Sequence, residues 1–221
     1  EILRVSSTDP NIETTIDSLI VAMIDMDEIK FTSIINKMVA KNGFKQTVMN
    51  IVYPFLNKIG VMWLAGEVNP AQEHFVVNIV RQKIITAIDG FSHVFNPKAR
   101  KFLLFLPEGD WHELGLLFAL YLLKESGHEV IYLGQSVPYS DVLATGATRN
   151  FDNILLSCTT PQPEFDFISY LKDLGGAFPD KKILYFSAFL TEKPSQLSGN
   201  HIHMENMNDL QDFIQKIEDE Y

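Results

Sequence analysis

Asp110-Trp111-His112-Glu113-Leu114-Gly115 follows a short apolar run, Phe102 to Leu106, and precedes a helical one. That order puts an imidazole on the loop at the carboxyl end of a strand, where open α/β sheets hold their ligands. Asp110 lies two residues before the ring and can take the proton of one ring nitrogen, which leaves the other free to ligate a metal. Gly115, three residues on, lets a bulky group come close. No protein-only metal site completes itself around His112, since the sequence holds no His-x-x-x-His and no Cys-x-x-Cys. A histidine with one orienting acid and no partner ligands suits a metal that brings its own equatorial ligands, as a tetrapyrrole does.

The elements that must position this group fall into two halves. From Ile12 to His93 the pattern is helical. Thr14 to Met26 sets Ile16, Leu19, Ile20, Met23 and Ile24 on one face, and Asp27 to Lys41 does the same with Phe31, Ile34, Ile35 and Met38. Asn42-Gly43 is a C-terminal stop. Gln46 to Ala65 reads as a third helix, kinked or broken at Pro54. Pro70 opens a fourth that runs to about Asp89. Short links make an antiparallel bundle the economical reading. Gly90 to Arg100 reads as the linker, and after it the period changes. Strands are expected at Lys101–Pro107, Glu129–Leu133, Asn153–Cys158, Lys182–Phe186 and, weakly, Asn200–His203. Helices are expected over Glu113–Glu125, Tyr139–Arg149, around Glu164–Leu174, and from Asn208. Such alternation predicts a parallel sheet covered on both faces.

Composition narrows the function. Apolar residues make up 46 % and charged ones 21 % of the 221 residues, as in an ordinary folded domain pair. The net charge is −10, with ten acids against eight bases in residues 1–92 and eighteen against ten in 98–221. This acidity argues against the chain gripping nucleic acid by itself. The lone Cys158 excludes an intramolecular disulfide and suits a reducing compartment. Between Ser157 and Thr159, alternation points it into the packing of the sheet. No apolar run reaches 18 residues, so no membrane span is expected. A start at Glu1 without Met reads as an excised or processed chain. His93, His128, His201 and His203 receive no role. Sixteen Phe and seven Tyr fit a macrocycle pocket, but also simply fill cores.

Asp110-x-His112-x-x-Gly115 resembles the base-off, His-on motif of the cobalamin-binding domains of methionine synthase, corrinoid proteins and B12-dependent mutases. The resemblance implies that His112 replaces the cofactor's own dimethylbenzimidazole as lower ligand to cobalt, with Asp110 orienting it and Gly115 making room for the displaced nucleotide tail. Leu133-Gly134 followed by Val137-Pro138 resembles the segment after the second strand of that family. Ser157-x-Thr159 resembles the element that lines the tail pocket. Trp63, nine intervening residues and then Glu73-His74 resemble the helical cap of B12-dependent photoreceptor regulators. Those are MerR-like transcription factors whose bundle covers the upper corrin face. Tyr53 to Gly60 and Phe75 to Ile84 resemble the same cap.

Two positions depart from the pattern. Leu64 stands where light-sensing members often carry an upper histidine ligand, and leucine cannot ligate. Ser187-Ala188 follow Phe186 where a Gly-Gly pair normally lies beside the tail, so their Cβ atoms crowd it unless the loop moves.

The implied architecture is an N-terminal four-helix bundle cap over 1–92 and a flavodoxin-like doubly wound α/β domain over 98–221, with cobalamin bound between them. Gly115, Gly134, Ser157, Thr159 and Ser187 would line the lower side, and Trp63, Glu73 and His74 the upper. The cofactor would be adenosylcobalamin or methylcobalamin, with cobalt on His112. The resemblance implies a cytoplasmic, non-enzymatic sensor from a MerR-like regulator. It would form homo-oligomers and reach DNA only through an N-terminal domain absent here. Two alternatives stand beside it: the corrinoid carrier of a methyltransferase, and a degenerate domain that binds another ligand or a protein partner.

Overall fold

Apolar spacing, caps and one proline account for the helical residues of the computed structural model, which describes residues 10–91, 96–161, 163–190, 192, 194–197 and 199–219. His93 lies outside them. The chain divides into two compact units, Glu1–Ala87 and Ile88–Tyr221.

In the first unit, α1 (Pro10–Ile24) buries Ile16, Leu19, Ile20 and Met23. Ile24, expected on the same face, is instead 46 % exposed. It ends the helix, where the Asp27 N–H turns back to the Ala22 carbonyl (2.8 Å) and Met26 adopts φ 51°. α2 (Glu28–Asn42) starts on Asp27, whose carboxylate accepts the Lys30 N–H at 2.9 Å. Such a cap stabilises a helix by about 1 kcal/mol. α2 stops at Gly43, at φ 81°.

The third helix is continuous through its proline. α3 (Phe44–Thr47) passes into a π-helical turn (Val48–Val52) and on into α4 (Tyr53–Leu64). Pro54 has no N–H to donate, and its ring would press on the carbonyl four residues back. The turn just before it widens, with the Tyr53 N–H reaching the Val48 carbonyl, so the clash is absorbed without a break. α5 (Pro70–Asp89) begins on a reciprocal cap. The Asn69 Oδ1 accepts the N–H groups of Ala71 (2.8 Å) and Gln72 (3.1 Å), while Gln72 Oε1 accepts the Asn69 N–H. Val76, Ile79, Val80 and Ile84 supply its buried side.

The second unit is a five-stranded parallel sheet in the order β2-β1-β3-β4-β5. Its strands are β1 (Lys101–Pro107), β2 (Glu129–Val137), β3 (Asn153–Cys158), β4 (Lys182–Ser187) and β5 (His201–Met204). β1 and β3 lie side by side, with Leu104 paired to Leu155, and both are buried almost throughout, as central parallel strands must be. α6 (Leu114–Glu125), α7 (Tyr139–Thr148), α8 (Phe167–Ala177) and α9 (Met207–Asp219) complete it. Leu103, Phe105, Ile154, Leu156, Cys158 and Ile183 pack with Val142 of α7 and Leu171 of α8. Strand alternation turns Leu104, Leu155 and Ser157 to the opposite face, which α6 covers.

Two elements run past their expected ends. β2 continues from Leu133 to Val137 because the turn residues there build a bulge inside the strand: Gly134 adopts φ 85° and Ser136 φ 50°. α8 continues through Gly175-Gly176, where glycine answers a packing need. A Cβ on Gly175 would strike the His201 ring. That ring's Nε2–H donates to the Leu171 carbonyl at 2.7 Å, tying β5 to α8.

Candidate functional site

The order of the sheet makes the site. The chain leaves β1 through α6 toward β2 on one side, while β3 lies on the other. The carboxyl ends of β1 and β3 therefore flank the crevice where doubly wound sheets bind ligands. Asp110 and His112 follow β1, and Thr159 and Thr160 follow β3.

Asp110 is 1 % exposed and is surrounded by donors. Its Oδ1 accepts the backbone N–H of His112 at 2.9 Å and faces His112 Nδ1 at 3.0 Å. Its Oδ2 accepts the Thr159 N–H at 2.9 Å and the Thr159 hydroxyl at 3.5 Å. A buried carboxylate needs partners of this kind to be tolerated. An ionised carboxylate only accepts, so it assigns the proton to Nδ1. Thr160 Oγ1 lies 3.4 Å from the same nitrogen. The His112 side chain is 63 % exposed, and its Nε2 has no hydrogen bond among the described residues. The result is a ring held on one edge and open at the other.

The bulge in β2 holds this loop from behind. The Ser136 N–H donates to the Asp110 carbonyl (3.0 Å), and Ser136 Oγ accepts the Gly109 N–H (3.1 Å). A serine at positive φ is strained unless its surroundings fix it, and these two bonds do so. Ser136 and Thr160 received no role in the sequence, where nothing local sets them apart from other Ser and Thr. Glu113 is also buried and accepts the Tyr132 hydroxyl at 3.2 Å.

The remaining lower-side residues fall as follows. Gly115 opens α6. Ser157 is buried on the α6 face of β3. Gly134 carries the positive φ of the bulge, so its backbone alone requires glycine. Ser187 is half-buried, and its Oγ accepts the N–H groups of Phe189 (3.4 Å) and Leu190 (3.3 Å), which closes the turn after β4. Cys158 is buried, and burial together with the Asp110 charge pushes its thiol up to about 12. In the helical unit, Trp63 near the end of α4 is 49 % exposed. Glu73 lies in the first turn of α5 and His74 directly after it, and residues 65–69 link α4 to α5. Leu64 is 80 % exposed.

Among the described residues no group of three or more His, Cys, Asp or Glu could hold a metal, and no helix is long and apolar enough to cross a membrane. The His112 imidazole, held at Nδ1 and open to solvent at its other edge, fits a metal that carries its own equatorial ligands. Gly115 fits it too, because the fold alone does not require glycine there: among the described residues a Cβ would meet only Met207 Cε, at 3.7 Å.

Residues 15–87 match the B12 binding domain family. The HTH-type transcriptional repressor CarH of Myxococcus xanthus is 27 % identical over 170 residues, 77 % of this chain and 56 % of that protein. CarA of the same organism, also an HTH-type transcriptional repressor, is 30 % identical over 135 residues, 58 % of this chain and 44 % of CarA. The chain thus spans about half the length of the curated relatives it matches. The monomethylamine corrinoid protein of Methanosarcina barkeri shares the fold at a TM-score of 0.71 and 15 % identity, over 93 % of this chain and 99 % of that one. The chain is therefore related, at modest identity, to these two repressors, and its helical half carries the match to the B12 binding domain.

Proposed function

We propose that the chain is the cobalamin-binding sensory region of a cytoplasmic MerR-like transcription regulator. His112 would hold the cobalt of cobalamin through Nε2, with Asp110 fixing the ring and its tautomer through Nδ1. Gly115, Gly134, Ser157, Thr159 and Ser187 line the side that takes the nucleotide tail. Trp63, Glu73 and His74 attend the upper ligand, adenosyl or methyl. Bound cobalamin supplies a cobalt whose upper ligand is exchangeable, and that exchange is the signal. The protein responds through its oligomeric state, and the regulator reaches DNA through a region beyond this chain. The match to two transcriptional repressors supports regulation over methyl transfer.

The observation that carries this reading is the His112 ring, held at Nδ1, open at Nε2 and, among the described residues, without a second protein ligand. Hydroxocobalamin mixed with the protein in the dark should give the visible spectrum of cobalamin with histidine below and its own base displaced. His112→Ala should abolish that spectrum. A wild-type chain that retains no cobalamin with a hydroxo, methyl or adenosyl upper ligand would sink the reading.

A further inference from the structure

One flexible side chain, Met207, faces Gly115. Around a Cβ built on Gly115, beyond its own helix and chain neighbours, the only described atom within 4 Å is Met207 Cε, at 3.7 Å. That space is one methyl group deep. Nothing larger enters along this direction unless Met207 moves.

Its backbone is held. The Asp209 Oδ2 accepts the N–H groups of Glu205 (2.6 Å) and Asn206 (3.1 Å), and Asn206 Oδ1 accepts the Asn208 N–H (2.8 Å). These bonds fix the start of α9 on both sides of Met207. The thioether chain itself is unbranched, with three rotatable bonds, and changes rotamer readily. A fixed root and a mobile tip are the parts of a gate.

We propose that Met207 gates the nucleotide-tail channel: its methyl group closes the space against Gly115 and swings aside to admit the tail. The proposal rests on the reading of His112 and Gly115 given above. It makes Met207 a residue that selects among corrinoids by what hangs below the ring. A corrinoid with a nucleotide tail must move the side chain, whereas one without a tail need not.

The test compares hydroxocobalamin with diaquacobinamide, which has the same corrin ring but no nucleotide, on the full chain in the dark. Visible spectra give affinities and association rates. Met207→Phe, whose ring cannot fold away as easily, should weaken hydroxocobalamin binding by about tenfold or more, a modest overpacking cost. Its affinity for cobinamide should stay within about twofold of wild type. Met207→Ala should speed association of hydroxocobalamin and leave the rate for cobinamide unchanged, with circular dichroism confirming the fold of both variants. Equal changes for the two corrinoids, or none for either, overturn the gate and leave the His112 reading intact. Failure of the wild-type chain to bind either corrinoid overturns both.

Discussion

Asp110 joins two strand ends through one buried carboxylate, with Oδ1 on the His112 loop and Oδ2 on Thr159 after β3. Its charge therefore acts on two side chains in different ways. Toward His112 it is an orienting acceptor, and such partners typically account for about 10- to 100-fold in metal affinity. Asp110→Asn should weaken cobalamin binding by about that factor while the His112-ligated spectrum persists at saturation. Loss of the spectrum at full occupancy would show that Asp110 does more than orient. Toward Cys158 the same charge is the lesser of two causes that raise the thiol, burial being the larger. Cys158 should thus resist iodoacetamide at pH 8 in the native protein and in Asp110→Asn alike, and react once the chain is unfolded in urea. Labelling of the native Asp110→Asn variant would reverse that order. Of this site, the pairing of His112 with Asp110 was legible in the sequence because loop position and spacing bring the two together. Ser136 and Thr160 were not, because their roles depend on which strands become neighbours.

Elements were legible where a local rule decides them. Pro70 at the start of α5 and Asn153–Cys158 as β3 needed only a helix-start residue and an apolar run. The ends of β2 and α8 were set by contacts distant in sequence, with Gly134 serving a bulge and Gly175 the packing of His201. Gly175 offers a direct check. Gly175→Ala should cost about 1 to 3 kcal/mol in urea unfolding through overpacking against His201. Combining it with His201→Ser should recover part of that loss, because the two changes meet at one contact. Simple additivity would mean that the His201 ring does not set the choice of glycine, which helix propensity by itself disfavours. The junction between α6 and β2 is pH-sensitive. His128 Nδ1 accepts the Arg100 N–H at 3.2 Å, and its buried Nε2 has no partner among the described residues. Burial, then the Arg100 charge, lowers its pKa from 6.5 to about 4. With the folded pKa depressed, the unfolded chain takes up a proton first as pH falls below 6.5. Stability is therefore full above that value and declines toward pH 4, by on the order of 3 kcal/mol for this group. His128→Gln keeps an acceptor without the titration. Its urea midpoint should fall less than the wild type's between pH 7 and pH 4, and parallel curves would remove His128 from the account.

At the scale of the whole molecule, the proposed functions divide along the same line as the two compact units. Ile88–Tyr221 holds His112, Asp110, Gly115, Gly134, Ser157, Thr159, Ser187 and Met207, all the residues assigned to the lower ligand and the tail. Glu1–Ala87 holds Trp63, Glu73 and His74, assigned to the upper ligand. Each unit also has its own buried core: Leu19, Met23, Phe31, Ile51 and Phe55 in one, and Leu103, Phe105, Leu156, Leu171 and Ile183 in the other. A chain of about 130 residues with a core of its own is large enough to fold alone. The fragment 88–221 should therefore unfold cooperatively by circular dichroism and bind hydroxocobalamin with the His112-ligated spectrum. It should, however, lose whatever preference the full chain shows between adenosylcobalamin and methylcobalamin, because the residues that attend the upper ligand are missing. Affinities for the two forms, measured in the dark on fragment and full chain, give that ratio directly. A ratio unchanged in the fragment would place discrimination in the α/β unit and strip Trp63, Glu73 and His74 of their assigned part. A ratio that collapses toward one would make the helical unit the reader of the upper ligand, the step a sensor needs and a mere carrier does not.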